Sequence, residues 1–138
     1  QYIRYGSSID ARLRELAILQ VGWLARNPYE WSHHIKIGYD FGVSEEDIRN
    51  LIAETDGKDT YFESIDKMVL RAAREMTLEG KVAEETFEAL ADYFTKEHLI
   101  DLLVTIAFYN AVVRFLASTE MDVEESYQPY LDQFTLPK

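Results

Sequence analysis

Three residues could carry proton chemistry: His34, Glu30 and Glu15. Two of the chain's three histidines stand side by side in "NPYEWSHHIKIGYDFG", residues 27–42, with Glu30 one helical turn before His34. A histidine titrates near neutral pH, so an imidazole oriented by a carboxylate can give or take a proton there. A second, desolvated carboxylate can serve as the acid. Glu15 fits that description, because its helical neighbours three and four residues away are Ala11, Arg12, Ile18 and Leu19. Among such neighbours an ionised carboxylate needs a partner or a raised pKa. His33 lies about 100° around the helix from His34, beside Tyr29, Lys36 and Asp40. It reads as a solvated or interface residue, and with Tyr29 as a candidate for binding substrate.

Each of these residues also has a plain structural reading. Glu30 stands three residues after Asn27, where it would close a capping box. Glu15 could simply anchor Arg12, Arg14 or the distant Arg114. Glu15, Glu30 and His34 could conceivably hold a metal, but a second well-spaced histidine is lacking, and no metal is expected. His98, in the company of Thr95 and Glu97, reads as structural.

The elements that must position these residues read as about six helices in one all-α domain spanning 1–138, with no convincing strand. Ser8 precedes "IDARLRELAILQVGWLAR", which is apolar nearly all round and is therefore expected to run through the core. Asn27 and Pro28 stop that helix and start the next, and Gly42 ends it. Antiparallel packing is expected across so short a connection. Glu15 then lies about 8 Å from His34 along the helix pair. That spacing leaves contact undecided. Ser44 and Asp47 cap a third helix, and "ETDGKDTYFES" is an exposed loop. "SIDKMVLRAAREM" is closed by Gly80, "AEETFEALADYF" is shorter, and Thr95 opens the longest helix, "KEHLIDLLVTIAFYNAVVRFLAS". The tail, 119–138, holds Tyr127, Tyr130 and Phe134 and is expected to pack on the domain or on a neighbouring subunit.

Composition removes whole classes of function. Fourteen Lys and Arg against twenty-five Asp and Glu give a net charge of −11, which repels nucleic acid and anionic lipid. Neither is an expected partner. With no cysteine, disulfides, thiolate zinc sites and thiol nucleophiles are excluded. No secretory signal is visible, so the cytoplasm is the expected compartment. The longest apolar run, 99–116, is interrupted by Asp101, Thr105, Asn110 and Arg114 and is not expected to span a membrane. The chain begins at Gln1, and some upstream sequence is expected to be missing.

Three stretches carry a resemblance: "RELAIL" at 14–19, "YEWSHH" at 29–34 and "GVSEEDI" at 42–48. With them the chain resembles the carboxymuconolactone decarboxylase family, which shares its fold with the alkylhydroperoxidase-D proteins. The later "LRAAREM" and "FYNAVVRFL" are similar to that family's second half, so the likeness covers about residues 8–118. It implies an all-α fold, assembly into homo-oligomers (trimers, hexamers or dimers) and sites near subunit boundaries. In the peroxidase branch a glutamate, a CxxC pair and a histidine form a proton relay. Glu15 and His34 match the glutamate and the histidine, whereas Asn27 and Glu30 occupy the cysteine positions. Cysteine peroxidase chemistry is therefore excluded. The resemblance then implies a decarboxylase-like lyase acting on a small carboxylated lactone or related acid, without a cofactor. His34 would donate the proton, Glu15 would orient it, and Glu30 would complete the catalytic set. Tyr29 and His33 would shape the pocket, and Arg114 is the candidate for a substrate carboxylate. A non-catalytic oligomeric scaffold, or hydrolysis or isomerisation on the same residues, fits the same pattern.

Overall fold

The computed structural model describes residues 9–138, and among these it contains seven α-helices, one 3-10 turn and no strand. Helix α1 (Ala11–Leu24) is the axis of the fold, packed by α2 (Pro28–Asp40), α4 (Ser64–Glu79) and α6 (Lys96–Ser118). Every residue from Leu13 to Trp23 is buried, as its all-round apolar pattern requires. Ser8 lies outside the described residues. The observed cap is Asp10, whose carboxylate accepts from the Leu13 N–H.

α1 stops at Leu24, three residues earlier than Asn27, and Arg26 takes the left-handed conformation (φ 52°) in the turn. Asn27 then caps α2, its side chain accepting from the Glu30 N–H at 2.9 Å. Its amide also donates to the Val113 carbonyl of α6. The expected capping box is only half formed. The Asn27 N–H already donates to the Gly22 carbonyl, so the Glu30 carboxylate has no backbone donor to return to and is left for other use. At Gly22 the two helices nearly touch: a Cβ there would lie 3.5 Å from the Trp31 nitrogen. α2 ends before Gly42, whose φ of 99° suits a residue without a side chain.

The Ser44–Asp47 capping box is present at the start of α3 (Glu45–Thr55), and Gly80 closes α4 in the left-handed region. α5 (Glu84–Tyr93) is short, and Thr95 caps α6 as its sequence suggests. α6 has 23 residues and a mean hydropathy of 1.8, long and apolar enough by length and composition alone to cross a membrane, a test that core helices of soluble proteins also pass. Asp101 and Thr105 sit on its buried side.

The tail adds α7 (Gln128–Gln133), begun by Pro129, and packs on α2 of the same chain. Phe134 is buried, and its carbonyl accepts from the indole N–H of Trp31 at 2.8 Å. Of the two docking places expected for the tail, the domain itself is the one observed.

Candidate functional site

The reversal at 25–27 decides the geometry of the site. Because α1 ends early, Glu15 and His34 are offset by roughly 5 Å along the helix pair, within reach of a glutamate side chain. The contact that the spacing left undecided is made: His34 Nδ1 lies 2.8 Å from Glu15 Oε2. On the other side of the ring, Nε2 lies 2.7 Å from Glu30 Oε1, one turn back on α2. The carboxylate freed from the half-formed cap is therefore the one that holds the imidazole.

The chain of charges continues to Arg14, whose Nη2 is 3.3 Å from Glu15 Oε1. Among the three arginines offered as anchors for Glu15, Arg14 is the one in place. Arg12 points to another face and pairs with Asp47 and Asp66. The Arg14 guanidinium also lies over the Phe41 ring, 4.6 Å from its centre. Arg14, Glu15, Glu30 and His34 are all at most 4% exposed. Two cations and two anions alternate, so the cluster is neutral as a whole when His34 is protonated.

The surroundings of His34 favour that state. Burial alone would lower its pKa, but hydrogen bonds and charge from Glu15 and Glu30 outweigh it and raise the pKa above the ordinary histidine value. With both carboxylates ionised, the two contacts are both hydrogen bonds when both ring nitrogens carry protons. The two carboxylates lie at opposite ends of the ring, so the three side chains do not converge on one point where a metal would sit. Tyr109 of α6 meets the imidazole edge-on at 5.0 Å. No sequence signal marks Tyr109, which reads as one more apolar position in the longest helix.

His33 belongs to a second, outer assembly. Its Nδ1 donates to the Tyr29 carbonyl at 2.7 Å, and its Nε2 faces Glu124 of the tail at 3.1 Å. The ring is stacked between Tyr29 and Tyr127, with centre distances of 4.0 and 3.8 Å. Tyr29 and His33 thus lie beside the buried trio and form the seat of the tail. Glu124 and Tyr127 could not be anticipated, because no periodicity fixes where an irregular tail lands.

Arg114 is not brought to the trio. It is exposed on the outer side of α6 and donates to the Asn110 carbonyl and side-chain oxygens, both at 2.8 Å. Tyr109, which touches His34, is on the inner side of the same helix; five residues separate the two, about 140° around the axis. The guanidinium close to His34 is Arg14. His98 lines a separate cleft of about 900 Å³ that also contains Arg12, Asp47 and Asp66.

Residues 1–56 match the model of the Carboxymuconolactone decarboxylase family. The match includes the first three resembling stretches and ends before "LRAAREM" and "FYNAVVRFL". No curated protein matches the chain, and no solved structure does. The segment that carries Glu15, Glu30 and His34 on its two helices is thus similar to the Carboxymuconolactone decarboxylase family.

Proposed function

We propose that this protein is a decarboxylase-like lyase that uses His34 as a general acid on a small carboxylated lactone or related organic acid. The observation that supports this most is the imidazole itself: buried, paired at both nitrogens with carboxylates, and shifted toward its charged form. Losing carbon dioxide next to a carbonyl leaves an enolate, which must be stabilised and then protonated at carbon. A positioned imidazolium suits both tasks. Glu15 holds Nδ1 and orients the ring. Glu30 occupies Nε2 at rest, so the substrate must displace it and bring the enolate carbon to Nε2 before the proton can be delivered. Arg14 contributes the positive potential that an anionic substrate needs inside a protein of net charge −11. Tyr29 and His33 stand beside the trio under the tail residues Glu124 and Tyr127. The absence of cysteine excludes a thiol-based peroxidase.

A second reading has its own supporting observation. The four buried charged groups are paired with one another, and such a network can serve only to fix the packing of α1 on α2.

Carbon dioxide release from 4-carboxymuconolactone separates the two. The unaltered chain should release it, and Glu15→Gln and His34→Ala should each lower the rate by about 10²- to 10⁴-fold, with helix content checked by circular dichroism. Release unchanged in a folded Glu15→Gln variant would assign the cluster to packing alone. No release by the unaltered chain would discard this substrate.

A further inference from the structure

We propose that the cleft at the starts of α1, α3, α4 and α6 binds a small organic cation, an ammonium carried on an apolar body. Its volume of about 900 Å³ is that of a small-molecule site. Four aromatic rings line it. Phe62 and Phe94 are buried, whereas Tyr61 and Tyr93 are 91 and 61% exposed. Tyr93 meets Phe94 edge-to-face, with ring centres 5.0 Å apart. A ring as exposed as that of Tyr61 does little for the fold, and its face is free to cover an apolar body or a cation.

The polar groups between the rings say which ligand fits. Four helices begin here, and helix starts attract anions. In this cleft their amides are already served. Asp10 accepts from the Leu13 N–H, Ser44 from that of Asp47, and Thr95 from that of His98. Asp66 accepts from the Glu63 N–H. Arg12, the one arginine among the described lining residues, is held by Asp47 and Asp66, and no lysine joins it. An anion therefore meets no unoccupied arginine or lysine. The charge left over is of the opposite sign: Asp10, Glu46 and Glu63 line the cleft at exposed positions, without an ion-pair partner among the described residues.

These carboxylates are spread among the rings. Among the described residues no three His, Asp or Glu side chains come together as metal ligands do, so a bare divalent ion would lack its cage of oxygens. An organic cation is served twice. Its ammonium can donate to the carboxylates while its body lies on the rings, with Tyr61 or Tyr93 facing the charge. Arg12 and Arg14 point to different faces of α1, so this cleft is separate from the His34 cluster and the inference does not rest on the chemistry proposed there.

Titrating the isotope-labelled full chain with 2-phenylethylammonium should move the amide signals of Tyr61, Phe62, Thr95 and His98 to saturation in the millimolar range. The His34 ring signals should stay in place. Glu46→Gln and Tyr61→Ala, both at exposed positions, should each weaken binding about two- to fivefold, and added salt should weaken it further. Phenylpropionate, a similar body with the opposite charge, should leave the cleft signals unmoved. Binding of phenylpropionate as tight as that of the amine would overturn the proposal, as would the same shifts produced by magnesium alone. So would the lack of any saturable shift, or amine binding indifferent to both substitutions.

Discussion

Arg12 and Arg14 are two residues apart on one helix, and each serves a pair of carboxylates in a different way. Arg12 is a clamp. Its guanidinium takes Asp47 of α3 at 2.7 Å and Asp66 of α4 at 2.8 Å, two anions converging on one permanent cation at the edge of the open cleft. Arg12 is held more firmly in its charged form, and Asp47 is pulled below the usual carboxylate range by the arginine and by Ser44 in spite of its burial. Both of these shifts move Arg12 and Asp47 away from any change of charge near neutral pH. On the other face Arg14 supports Glu15, and the central cation between the two carboxylates is an imidazolium. Its charge can be removed by losing one proton. The clamp ties three helices together, while the buried chain holds a proton that can be given away.

Removing the central group should separate the two clusters most sharply. His34→Ala leaves Glu15 and Glu30 buried without their cation, and unfolding in urea should show a loss of about 3–5 kcal/mol. Arg12→Ala exposes its two carboxylates to a cleft already open to water, with Arg12 itself 31% exposed. Solvent screening reduces that loss to about 1–2 kcal/mol, and raising the salt concentration should shrink it further. A His34→Ala loss as small and as salt-sensitive as that of Arg12→Ala would mean that the buried chain is wet and no different from the clamp.

The sequence made this contrast only partly legible. Helix starts and stops were readable because Asn27, Ser44, Thr95, Gly42 and Gly80 act locally, through hydrogen bonds or φ angles within a few residues. Glu15 was recognisable as an unusual carboxylate from its apolar neighbours. Its bond to His34 was not, because that depends on α1 stopping at Leu24, an effect of the turn that spacing from Asn27 overestimates. The use of Glu30 was also hidden. The cap seemed to claim it until the Gly22 carbonyl took the Asn27 N–H. Arg12, Arg14 and Arg114 all looked able to reach Glu15, since helical periodicity gives direction around an axis but not which neighbour lies there. The outer stripe of α6 was read as one apolar run, and only the packing on one side shows that its other side is left over.

Titration offers the finest test of the difference between the clusters. His34 has a pKa raised above its ordinary value of about 6.5, so its contribution to stability is complete below that value. The contribution is lost as pH climbs through the raised folded value, with a slope of at most about 1.4 kcal/mol per pH unit. The groups facing the ring are Glu15 from α1, Glu30 from α2 and the edge of Tyr109 from α6. Replacing Glu30 by Gln keeps a hydrogen-bonding group at Nε2 and removes its charge. The midpoint of the His34 ring signals in a nuclear magnetic resonance titration should then fall toward the ordinary histidine value, and the loss of stability with rising pH should begin at lower pH. The clamp should be silent over the same range, since Arg12 is held in its charged form and Asp47 is pulled below the usual carboxylate range. An unchanged His34 midpoint in Glu30→Gln would show that Glu30 does not hold the proton on the ring, and the buried chain would then end at Glu15.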